Sequence, residues 1–174
     1  MSTIKTNAIQ TVAGKPILNS TGSILQVVQT VKTDTFSTTS TSYVDITGMS
    51  ATVTPSNTNN KILVIVDIKG WTQNSQIGAI QLLRNGSAVY IGNAAGSRAQ
   101  VSIAGLYENG SPTNALGAGM LCYLDSPSTT SAVTYKLQTK TLSVSVHINR
   151  QSADSDNNDN PRAASSITLM EISG

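Results

Sequence analysis

"KILVIVDIKGW" (61–71) is apolar on both parities as far as Asp67. Successive side chains of a strand point to opposite faces, so a strand with one face in water alternates in polarity. One that does not alternate has both faces covered. The run is β-branched and far too short to span a membrane. It reads as an interior strand of a layered β domain.

Working outward, strand signals recur about every ten residues, separated by turn chemistry. "AIQLLRNGSAVYIG" (79–92) sets Asn85-Gly86 between two strand-like runs, the strongest short-range hairpin signal. "TSYVDITGMSATVTP" (41–55) carries Val44 and Ile46 on one parity, then Met49, Ala51 and Val53 on the other. That switch predicts a bulge or bend, and Gly48 is where the backbone could make it. "SILQVVQTVKT" (23–33) groups Leu25, Val27 and Val31 on one face. "ALGAGMLCYLDSP" (115–127) groups Ala118, Met120, Cys122 and Leu124, so that parity is expected inside, with Cys122 a buried inert thiol.

"AVTYKLQT" (132–139) and "LSVSVHINR" (142–150) alternate, and the second places His147 outward with Ser143, Ser145 and Asn149. "SSITLMEI" (165–172) is apolar enough to lie inside a sheet. No stretch of about 12 residues sustains a helical apolar stripe, and a short turn near 93–100 is the best helical candidate. The expected fold is all-β: a jelly-roll-like antiparallel β-sandwich over 23–174, preceded by an extended N-terminal segment, 1–22.

Charged residues make up 11% of the chain, against roughly 25% in an average soluble protein. Ser and Thr supply about a quarter of the residues instead, which suits a surface solvated by neutral groups or covered by partner chains. The net charge of +2 is spread without a Lys/Arg stripe, which argues against a nucleic-acid partner. Nothing in the leader resembles a signal-peptide core, and no membrane insertion is expected. One cysteine leaves no intrachain disulfide framework.

Enzyme signatures are sparse. His147 is the one histidine, and no nucleophile with an orienting carboxylate is evident beside it in sequence. The loop "QSADSDNNDNPR" (151–162) gathers Asp154, Asp156 and Asp159, hard oxygen ligands that begin like a calcium loop. The glycine expected sixth is replaced by Asp159 and the glutamate expected twelfth by Ser165, so a flexible polar loop explains the cluster equally well. Trp71, with polar neighbours in "WTQNSQ" (71–76), reads as a plug at one end of the core or as a sugar-stacking platform. Trp71, Tyr107 and Asn109 are the candidate receptor contacts.

Three stretches carry a resemblance: "STIKTNAIQTVAGKPIL" at the start, the run from Gly22 to Ile68, and "INRQSADSDNNDNPRAASSITLMEI" at the end. They resemble short virion structural proteins of tailed phages, especially those of cyanobacterial phages, while residues 70–140 match loosely. The resemblance implies a non-enzymatic virion protein with a trimeric jelly-roll-like module and leaves its place in the virion open. The first reading is a fibre or knob of the tail apparatus that contributes to host contact through surface glycans. A capsid decoration or head-fibre protein is the alternative, and a carbohydrate-binding module unrelated to a virion is a third.

The leader fits this reading. Its apolar residues Ile4, Ile9, Val12, Ile17 and Leu18 cannot all be buried by the segment alone. Three intertwined copies, or strand addition to a neighbouring virion protein, would cover them.

Overall fold

The computed structural model describes residues 21–72, 78–104, 116–141 and 145–174, with backbone alone at Trp71 and Thr72. The strands are β1 (Ile24–Lys32), β2 (Phe36–Thr38), β3 (Val44–Val53), β4 (Lys61–Thr72) and β5 (Ala79–Arg84). They continue with β6 (Ser87–Val89), β7 (Gly117–Asp125), β8 (Val133–Lys140), β9 (Val146–Ile148) and β10 (Ser165–Ile172). No helix occurs among the described residues, and 93–100 is an irregular loop with one turn closed by Arg98 N–H to the Ala95 carbonyl.

All pairings between these strands are antiparallel. One sheet runs β1-β10-β4, with β7 and then β9-β2 along the far edge of β4; the other runs β3-β8-β5-β6. With short β2 and β9 set aside, eight strands remain. In chain order one sheet reads first, eighth, third, sixth, and the other second, seventh, fourth, fifth. This is a jelly roll, two packed sheets connected as Greek keys.

Local chemistry sets the corners. Asn85 (φ 48°) and Gly86 (φ 88°) both take positive φ, as a two-residue hairpin between right-twisted strands requires. In β3 the pairing with β8 slips between Asp45 and Ser50, and Gly48 sits in the slip at φ 83°. The extra residue lets Ile46 and Met49, three apart, both point inward. A second slip lies between Ile24 and Gln26 of β1. It takes Leu25 out of the ladder, leaving it half-buried while Val27 and Val31 are exposed.

Between the sheets, rows of paired residues form the core. Val28, Leu169, Val64 and Tyr123 make one row across β1, β10, β4 and β7; Thr30, Ile167, Val66 and Leu121 make the next. Ile46, Met49, Val53, Ile80, Leu82 and Leu137 pack against them from the opposite sheet.

Two buried carboxylates close the same end of this core. Asp125 accepts two hydrogen bonds from Arg84 (2.9 and 3.0 Å), one from Tyr123 (3.0 Å) and one from Tyr135 (2.6 Å). That ties β7 to β5 and β8 across the sandwich. Glu171 accepts from Gln26, from Asn60 (2.6 Å), and from the backbone and hydroxyl of Ser56 (2.7 and 2.8 Å). Burial alone would raise the Glu171 pKa, but the hydrogen bonds from Gln26, Asn60 and Ser56 outweigh it and hold the carboxyl below its ordinary value.

Candidate interaction surface

The face of the β1-β10-β4-β7 sheet that points away from the core is also apolar. Residues directly opposite on paired strands share a face. The registers therefore put Val27, Met170, Leu63 and Leu124 in one outward row, and Gln29, Thr168, Ile65 and Cys122 in the next. A third row is Val31, Ser166, Asp67 and Met120, and Ile24 pairs with Ile172 at the corner. Met120 is 74% exposed, Val27 and Val31 55% each, and Leu124 48%. Five of the six large exposed apolar side chains among the described residues lie here, the sixth being Tyr90.

This overturns the expectation for 115–127. Ala118, Met120, Cys122 and Leu124 do share a face, but it is the outer one, and Cys122 is exposed. The opposite parity holds Leu121, Tyr123 and Asp125. Asp125 decides the orientation, because its carboxylate meets its donors, Arg84 and Tyr135, inside the sandwich. The outward residues of β4, Leu63 and Ile65, are half-buried, so the described chain covers only the inner face of the strand fully. Two neighbouring strands apolar on both parities, 61–66 and 120–124, were the sequence signal for such a face.

Four strands spaced about 4.8 Å apart and about eight residues long span on the order of 500 Å². The apolar part of that face falls within the range of the largest apolar patches on monomeric proteins, which are often functional. Charge is confined to its margin: Asp67 pairs with Lys69, and Lys61 stands beside Ile172.

A polar recess lies where β4, β9 and β2 adjoin. The register aligns Trp71 with His147 and His147 with Ser37. A cavity of about 320 Å³ is lined by Ser37, Thr38, Thr39, Ser145 and His147. His147 is buried, against the expectation that its parity faces outward, because β2 flanks it and hydroxyls meet its ring. Asn149, on the same parity, is buried too, donating to the Lys32 (2.8 Å) and Asp34 (3.0 Å) carbonyls.

Hydrogen bonding orders the recess. Arg150 donates to Ser37 Oγ from Nε (3.3 Å) and Nη2 (3.0 Å), which leaves the Ser37 hydrogen for His147 Nδ1 at 2.8 Å. The ring proton is then on Nε2, donated to Ser145 Oγ at 3.1 Å. Ser37 thus points its hydrogen at the ring as a nucleophile does toward its base, but the second ring nitrogen meets the Ser145 hydroxyl where a catalytic triad places a carboxylate. Burial, helped by the nearby Arg150 charge, pushes the His147 pKa down to about 4.

The remaining candidates are separated. Asp154 faces Arg162 and, at 3.7 Å, Arg150, while Asp156 and Asp159 are exposed. Asn157 organises the loop, accepting from Asp159 N–H (3.0 Å) and from the Asn160 amide (2.7 Å). Among the described residues no three His, Cys, Asp or Glu side chains are placed to hold a metal ion, so Asp154, Asp156 and Asp159 do not form a calcium ligand set. Trp71 contributes its backbone to β4, and its side chain lies outside the described residues, as do Tyr107, Asn109, Ile4, Ile9, Val12, Ile17 and Leu18. The chain matches no known family model and no curated protein.

Proposed function

We propose that the chain is a non-enzymatic structural protein of a phage virion, a homotrimeric knob of the tail apparatus that contributes to attachment at the host surface. The observation that carries this reading is the apolar outer face of the β1-β10-β4-β7 sheet. Its residues suit contact with another protein surface. The low charge of the chain and the likeness of both its ends to phage virion proteins support the same reading. In it, the leader joins the knob to neighbouring virion proteins.

Light scattering after gel filtration tests the proposal, on the full chain and on a chain lacking residues 1–20. A mass of three 18.1 kDa chains is expected. A trimer that survives the truncation makes the knob self-assembling and the leader an anchor, whereas a trimer lost with the leader makes the leader the stalk. Monomers in both forms would overturn it. The recess of neutral hydroxyls beside His147 favours one second reading, a carbohydrate-binding module, and monomers that require a sugar for binding would select it.

A further inference from the structure

Three properties of the outer sheet face narrow what covers it. The first is area. A stable contact buries about 800 Å² per partner, as an apolar centre within a polar rim. A sheet face on the order of 500 Å², with the apolar row Val27, Met170, Leu63 and Leu124 beside rows that mix Ile65, Val31 and Met120 with Gln29 and Ser166, fits the inner part of such a contact. A single extended segment is about 5–10 Å wide, against roughly 19 Å across four strands. The leader of this chain could therefore cover only part of it.

Charge is the second. The centre of the face is uncharged, and Asp67 and Lys69 at its margin neutralise each other. Three copies packed with this face toward a common axis bring equal charges close together, so such a face must avoid net charge. A strongly charged partner would call for the opposite sign here.

The third is side-chain type. Met120 and Met170 stand on this face, and methionine adapts its shape to the surface packed against it.

We propose that the outer face of the β1-β10-β4-β7 sheet is the surface through which copies of this chain meet, with Cys122, on the edge strand β7, covered by the contact. This rests on the reading of the chain as a self-assembling virion subunit and names the surface that does it. Cys122, the one cysteine of the chain, is exposed in the single chain and flanked by Ile65 across the ladder. Its thiol is a built-in reporter of whether the face is covered.

The test combines labelling by a bulky disulfide reagent with light scattering, on the full chain and on the chain lacking residues 1–20. Labelling of a covered thiol waits for the contact to open. Cys122 should therefore react at least about tenfold more slowly in the assembly than after dilution to monomer. Leu124→Asp and Val27→Asp should each give a folded monomer with unchanged circular dichroism and a fast-reacting thiol. An assembly that persists in both variants, or one whose thiol reacts as fast as in the monomer, would overturn the proposal and leave the trimeric reading standing. Protection in a monomer that disappears with residues 1–20 would identify the leader as the cover and overturn it too. A monomer with a fast thiol in both full and truncated chains would overturn this assignment and the trimeric reading together.

Discussion

Strand β4 carries similar side chains on its two faces, with different fates. Ile62, Val64, Val66 and Ile68 are wholly buried between the sheets, while Leu63 and Ile65, one residue away, are only half-buried. β10 and β7 repeat the contrast, with Leu169 against Met170 and Leu121 against Met120. Hydrophobicity fails to tell the two faces apart. The polar groups among them do. Asp125 and Glu171 lie on the inner side, where Arg84, Tyr135, Asn60 and Ser56 satisfy them. A buried carboxylate without those partners would be far costlier than an exposed methionine.

The strongest way to break this comparison is to truncate both faces. Leu169→Ala should cost about 2–5 kcal/mol in urea unfolding, because the cavity it leaves cannot close. Met170→Ala, measured on dissociated chains, should cost less than about 1 kcal/mol. Equal costs would mean that the outer face is covered within one chain.

Ion pairs sharpen the same contrast. Arg84→Met leaves Asp125 buried with fewer donors and should cost on the order of 3 kcal/mol. Lys136→Met removes the partner of exposed Asp45, and less than about 1 kcal/mol is expected in the same assay.

Acid probes the recess. The His147 ring takes a proton near pH 6.5 when unfolded but only near 4 when folded. Between those values the unfolded chain binds more protons. Stability therefore falls as the pH drops from about 6.5 to about 4, by on the order of 2 kcal/mol. Glu171, held low, adds its own loss only as the pH falls below its ordinary value of 4.5. The slope between pH 6.5 and 5 is thus assigned to His147, and urea unfolding of His147→Gln should flatten it there.

The smallest effect concerns the backbone. Gly48→Ala forces a Cβ into positive φ at the β3 bulge and should cost about 1 kcal/mol. Gly92→Ala, where an added Cβ meets nothing within 4 Å, should be neutral or slightly stabilising in thermal melts.

Much of the fold was legible. The Asn85-Gly86 hairpin and the Gly48 bulge follow from turn chemistry and parity, and the interior place of β10 follows from its apolar run. His147 and Asn149 were not legible as buried residues. Alternation gives two faces but cannot say that β2 and β4 flank β9, or that Ser37 and Lys32 bring partners to the polar face. Nor could the spacing of Asp154, Asp156 and Asp159 show that Arg150 and Arg162 face the first of them.

By itself the sequence determined an all-β chain of short strands, the positions of its corners, and a strand apolar on both faces, because side-chain period and turn propensity are local. Only the tertiary structure decided which apolar face is the core and which is left for another surface. That choice depends on where distant donors such as Arg84 and Tyr135 meet a buried carboxylate. Residues far apart in the chain settle it, and no local pattern records their meeting.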